Sequence, residues 1–212
     1  MRQIDLIHRQ ADFFGDFGFS LDPKLLVFKK AIPKGAQLIF IHYTPYSDGA
    51  YLEYNLGIRI DEVEYMIHKF LPSMHGYSDN SVTLVQTLDK IGKELPKRFF
   101  VENDGSLARV LMSVEKFFVS NGFAWLDQMS DPLNLEKAFA GRKERKFKTQ
   151  NFIYNAFRGT ALSKLYKPED YPILRETYLG LVKQNSATPF NIASYLKFLN
   201  YLDEDFTHDS SF

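Results

Sequence analysis

Apolar residues at Ile4, Ile7, Ala11 and Phe14 recur every three or four positions, with Asp5, His8, Arg9 and Asp12 between them. That period predicts an amphipathic helix over residues 3–17, and Gly15 and Gly18 supply its C-terminal end. The pattern then changes to strands. Residues 24–32 form the first, closed by the turn Pro33-Lys34-Gly35. In the second, 37–44, both Leu38/Phe40/His42 and Ile39/Ile41/Tyr43 are largely apolar faces, which suits a central strand covered on both sides. Tyr46-Ser47-Asp48-Gly49 reads as a turn. Residues 50–60 then alternate, with Leu52, Tyr54, Leu56 and Ile58 on one face and Tyr51, Glu53, Asn55 and Arg59 on the other. The short connections make the three strands an antiparallel meander.

Asp61 opens the next helix, and Glu64 three residues later completes a capping-box pattern. Val63, Met66, Ile67 and Phe70 form its buried stripe, and Pro72 stops it. Residues 73–80 read as an exposed loop. Short strands are predicted over 82–86 and 98–102, while 88–95 fits helix or strand, so the sheet has three to five strands. From Asp104 onward the pattern is helical. Leu107, Val110, Leu111, Val114, Phe117 and Phe118 make one helix that Gly122 interrupts, and 123–129 continues it with Trp125 and Leu126 inward. Asp131-Pro132 and Thr188-Pro189 are cap-then-proline starts. Later helices cover 151–166, 168–183 and 189–202, and the acidic tail 203–212 frays. The fold class is α+β: an antiparallel meander after an N-terminal helix, followed by a helical C-terminal half. Residues 1–140 are read as the domain that carries the sheet, and 141–212 as a helical extension packed on it in one compact unit.

Composition adds a thick, ring-rich core to this picture. Twenty Phe and twelve Tyr lift the aromatic fraction to 16%, and most of these rings sit at helix or strand spacing. Lys plus Arg and Asp plus Glu both total 26, so the chain lacks the basic excess common in nucleic-acid binders. There is no cysteine, which removes disulfides, thiolate catalysis, Cys-ligated zinc and iron–sulfur clusters. The acidic N-terminus has no continuous apolar run and does not read as a secretory signal. No stretch approaches the roughly 20 apolar residues of a membrane span. A cytoplasmic protein without cofactor or metal is expected.

Motifs that carry chemistry are sparse. There is no GxSxG, GxGxxG or GxxxxGK[ST]. Glu64 and His68 have the i, i+4 spacing of paired metal ligands, but no further His joins them, so Glu64 reads as a capping residue and His68 as an exposed one. Glu53, Asp61 and Glu62 are acids around the end of the third strand, a type of grouping that general acid–base chemistry can use. Arg142, Lys143, Arg145, Lys146 and Lys148 form the densest basic run, followed by Phe152, Tyr154 and Phe157. Such a strip could contact phosphates beside aromatic platforms, and nucleic acid is the lesser reading. On the third strand, Arg59 with Glu53, Tyr51 and Tyr43 could line a pocket for an anion or a partner carboxylate. The competing reading is a surface ion pair between Arg59 and Glu53.

Gly18-Phe19, the strand from Leu38 to Tyr43, and the phrase Asn55-Leu56-Gly57-Ile58 carry one resemblance. Over residues 14–64 the chain resembles small, uncharacterised bacterial α+β domains of unknown function, some of which occur beside toxin systems. The resemblance implies a structural kinship and carries no catalytic residue. The expected function is that of a cytosolic bacterial interaction or accessory protein without catalysis, binding a protein partner through the sheet face or an aromatic groove. The alternatives are an enzyme with a pocket near Arg59 and a nucleic-acid binder using the basic run.

Overall fold

A computed structural model describes residues 3–71, 78–142, 152–184 and 188–204. The chain is α+β, with N-terminal helices, an antiparallel sheet and a helical C-terminal half. Its contacts divide it into two units that do not follow chain order. One comprises Met1–Arg59 and Leu84–Ser130, the other Ile60–Thr83 and Asp131–Phe212. The helical unit therefore draws one segment from within the first half of the chain and begins its second at Asp131.

In the first unit, α1 (Gln3–Arg9) and α2 (Ala11–Asp16) replace the single helix expected there. The break falls at Gln10, whose buried side chain accepts a 2.7 Å bond from the Tyr54 hydroxyl. Gly18 follows with φ of 82°, the left-handed conformation expected after the helix. The sheet begins with a strand that the pattern did not reveal, β1 (Ser20–Asp22), paired to β2 (Val27–Ile32). The expected strand over 24–32 starts three residues late because Asp22 Oδ1 accepts from the amides of Lys24 and Leu25, at 2.9 and 3.1 Å. That side-chain bond holds the backbone in a turn. The long hairpin β3 (Gly35–Tyr46) and β4 (Gly49–Ile60) follows.

Two short strands share the far edge of β4. β5 (Leu84–Thr87) pairs with Asn55–Ile58, and β6 (Phe99–Val101) pairs with Ala50–Leu52. Between them the chain leaves the edge through α4 (Leu88–Ile91), which resolves the ambiguous stretch as a short helix and loop. The order is β1-β2-β3-β4-β5, with β6 also on β4.

The helices of this unit cover one face of the sheet. Phe28 and Ile39 are register partners, and the Phe28 ring lies 4.7 Å from that of Phe14 on α2. Since side chains alternate along a strand, Ile39, Ile41 and Tyr43 share this face. Tyr54 joins them through its bond to Gln10. The helix α5 (Asp104–Phe117) passes into a π turn (Phe118–Gly122) and then α6 (Phe123–Met129). Gly122 therefore widens the helix without ending it. A Cβ there would lie 2.8 Å from Phe118 Cδ1, so only glycine lets that ring pack close. Phe118 stands 5.0 Å from Phe14 and 5.2 Å from Phe123. Much of the aromatic excess is spent here, each buried ring contributing roughly 2–3 kcal/mol.

The second unit contains α3 (Asp61–His68), α7 (Pro132–Arg142), α8 (Phe152–Tyr166), α9 (Tyr171–Gln184) and α10 (Pro189–Glu204). Both cap-then-proline starts form: Asp131 Oδ1 accepts from Leu133 N at 2.9 Å, and Thr188 Oγ1 from Asn191 N at 3.2 Å. Phe157 lies 5.0 Å from Tyr195 and 4.9 Å from Phe198 at the centre of this unit. The capping box expected at Asp61 does not form. The cap position is Ile60, whose amide donates to Thr83 Oγ1 at 2.9 Å, and Glu64 is buried elsewhere. Among the described residues no helix is long and apolar enough to cross a membrane.

Candidate functional site

The free end of the β3–β4 hairpin brings three exposed aromatic side chains together. Ser47 and Asp48 form its tip, and Gly49 follows. A Cβ at Gly49 would stand 2.5 Å from the Val101 carbonyl oxygen and 2.9 Å from Phe100 Cζ. Glycine here is what lets β6 close against the hairpin. Tyr51 and Phe100 are then direct cross-strand partners, so both point to the same face. Their ring centroids are 5.1 Å apart, and Tyr46 meets Tyr51 edge-on at 5.5 Å.

This face is opposite the helix-covered one, because Tyr51 alternates with the inward Leu52 and Tyr54. The three rings remain 55%, 37% and 36% exposed for Tyr46, Tyr51 and Phe100. Beside them Arg98 Nε donates to Glu53 Oε2 at 2.8 Å. The Glu53 carboxylate, with Tyr46 and Tyr51 nearby, pushes the guanidinium further up, so Arg98 stays charged. The result is an aromatic platform with a fixed ion pair at its margin.

The other face of the same hairpin end holds a cleft of about 580 Å³, lined among others by Tyr43, Asp48, Ala50, Glu102, Asp104 and Leu107. The α5 N-terminus in its wall is already capped. Asn103 Oδ1 accepts from Ser106 N at 2.9 Å, and Ser106 Oγ accepts from Asn103 N at 3.0 Å. Three carboxylates and an occupied helix end disfavour an anion there. No family model, curated protein or solved structure matches this chain.

The residues singled out in the sequence are distributed as follows. Tyr51 and Glu53 share the open face. Tyr43 lies on the opposite face and lines the cleft. Arg59 is 3% exposed and, at about 3.3 Å per residue, lies roughly 26 Å along β4 from Tyr51. The ion-pair partner of Glu53 is Arg98, a residue that sequence reasoning missed. Tyr46 and Phe100 were missed as well. The alternation across 98–102 carried the signal for two of the three, since Arg98 and Phe100 fall on one side of any strand drawn there.

The acids and histidines fall elsewhere. In the helical unit Glu62 accepts from the Tyr166 hydroxyl at 3.1 Å. Glu64 accepts from Arg158 Nε and Nη2 at 2.8 and 2.9 Å, with Ser81 and Thr83 donating to it as well. Burial pushes the Glu64 carboxyl up, but the Arg158 charge and these bonds outweigh it and hold the group below the usual carboxylate range. His68, expected to be exposed, is buried with Nε2 3.9 Å from Glu64 Oε2. Among the described residues no group of three His, Asp or Glu could hold a metal ion. Of the basic run, Arg142 ends α7, while Lys143, Arg145, Lys146 and Lys148 lie outside the described residues.

Proposed function

We propose that this chain is a cytosolic, non-catalytic bacterial interaction protein whose protein partner docks on Tyr46, Tyr51 and Phe100. The observation that carries the reading is that three large rings pack on one another yet stay open on a strand face. Rings held this way have already lost much of their rotamer freedom, so covering them gains apolar burial at little further entropic cost. Tyr and Arg are the residue types that most often carry binding energy at interfaces, and Arg98 stands at the margin of the platform.

Site-specific photocrosslinking tests this. A benzoylphenylalanine placed at Phe100 in the full chain should give one discrete adduct in bacterial lysate. The same probe at Met112, exposed on α5, should not give it, and Tyr46→Ala with Tyr51→Ala should abolish it while leaving the far-UV circular dichroism unchanged. Identical adducts at both positions, or none at Phe100, would overturn the proposal.

A further inference from the structure

β6 pairs with β4 along one edge, and among the described residues it pairs with no other strand. The backbone groups of a strand point to both of its sides, so those on the outer side of β6 can template a further strand. Proline or a bulge would shield such an edge. Neither occurs in Phe99-Phe100-Val101, which Arg98 precedes and Glu102 follows. Flanking charges also shield an edge when like charges meet on pairing. Here the two flanking charges have opposite signs, and their placement has the reverse effect.

The run Arg98-Phe99-Phe100-Val101-Glu102 is complementary to itself when two copies run antiparallel. With Phe100 opposite the partner's Phe100, Phe99 falls opposite the partner's Val101 and Arg98 opposite the partner's Glu102. Each of these unlike pairs occurs twice about the two-fold axis. Opposite charges, aromatic pairs and aromatic–β-branched pairs are the cross-strand combinations that stabilise a sheet. The side chains concerned are open to a partner. Arg98 is 58% exposed, and among the described residues its Nε bonds to Glu53 while its Nη atoms bond to nothing. Glu102 is exposed and, among the described residues, forms no ion pair. Phe100 stands on the open face of the sheet beside Tyr51.

We infer that two copies of this chain associate through β6, edge to edge and antiparallel, with Phe100 on the two-fold axis and Arg98 of each copy set against Glu102 of the other. The two sheets become one, and their aromatic platforms join on the same side of it through the two Phe100 rings. The pairing uses the edge of the strand, whereas the docking proposal uses the ring face, so the two fail separately.

The test is sedimentation velocity of the purified full chain from about 1 to 200 µM, a range suited to weak association through a short edge. The mass should rise from 24.6 kDa towards twice that value, with a Kd of about 100 µM or tighter. Arg98→Glu alone and Glu102→Arg alone each set two like-charge pairs across the axis. Each should weaken association about tenfold or more. Mixing the two variants in equal amounts should bring the dimer back, because in the mixed dimer both cross-strand pairs are again of opposite charge. Recovery on mixing also shows that each variant is folded. A monomer at every concentration, a Kd unmoved by either reversal, or a mixture no tighter than its components would each overturn the inference. A monomer that still gives the Phe100 adduct with another protein overturns it too, and leaves the docking proposal standing.

Discussion

Replacing Arg158 by Met leaves Glu64 without its cation, and the cost can be worked from the geometry. Glu64 is fully buried, and two charge-assisted bonds at 2.8 and 2.9 Å join it to a guanidinium that is itself only 12% exposed. The pair in place is weak evidence of net stabilisation, because desolvating both ions offsets most of their attraction. Removing one partner is another matter, since the remaining buried charge costs about 3–5 kcal/mol. Arg158→Met should destabilise the helical unit by that amount at pH 7. Replacing both residues by Met should recover most of the loss.

The pH dependence of stability differs in sign between the two proteins. In the wild type the folded pKa of Glu64 lies below its ordinary 4.5. Its contribution is therefore present above that value and lost as pH falls through the folded one. In Arg158→Met, burial, the largest influence, is opposed only by the Ser81 and Thr83 bonds, so the folded pKa rises, and stability is greatest below about 4.5 and declines as pH rises. The gap between the two proteins should narrow steadily from pH 7 towards pH 4. Hydrogen exchange of α3 and α8 is the suitable readout, because the single tryptophan, Trp125, sits in the other unit and its fluorescence reports that unit. A loss below about 1 kcal/mol at pH 7, a double variant as damaged as the single one, or a gap that widens in acid would refute the account.

Two further substitutions test the same unit. Glu136 on α7 is buried, and among the described residues neither of its carboxylate oxygens is hydrogen-bonded; burial pushes its carboxyl up against the opposing pull of Lys167. A raised folded pKa means stability that is present in acid and lost as pH rises, so Glu136→Gln should gain about 1–2 kcal/mol at pH 7 and little at pH 4, read from denaturant midpoints. Gly159 lies against Tyr178, where a Cβ would stand 2.6 Å from the ring carbon Cζ while the hydroxyl donates to the Phe139 carbonyl at 3.1 Å. Gly159→Ala should cost about 1–3 kcal/mol by overpacking, and adding Tyr178→Phe should return part of it in thermal melts.

What the sequence revealed and what it hid follow from the range of the interactions involved. The hairpin was legible because Leu52, Tyr54, Leu56 and Ile58 alternate with polar residues, and the starts of α7 and α10 were legible because Asp131 and Thr188 cap amides only two or three residues on. β1 was hidden because three residues carry too little period, and its turn depends on one Asp22 side chain. Glu64 was misread for a different reason. Its position fits a capping box, yet its partner Arg158 lies 94 residues away, and no local pattern carries that. The same holds for Glu53 and Arg98, 45 residues apart.

The polar face of β4 shows why the candidate site moved. Tyr51, Glu53, Asn55 and Arg59 alternate with apolar residues, which reads as one solvent-facing stripe. Only the first two positions behave so, because Asn55, Gly57 and Arg59 are all buried. Alternation reports that two faces differ in chemistry, not that the polar one meets water. Arg59 lies on that buried stretch, so its side chain is not part of the exposed face that carries Tyr51. The stripe emerges at the hairpin end, where β6 adds Phe100 beside Tyr51. That addition is possible because Gly49 lets the edge strand approach. The exposed aromatic platform thus depends on a glycine and on an edge strand that lies more than 40 residues beyond the alternation in β4.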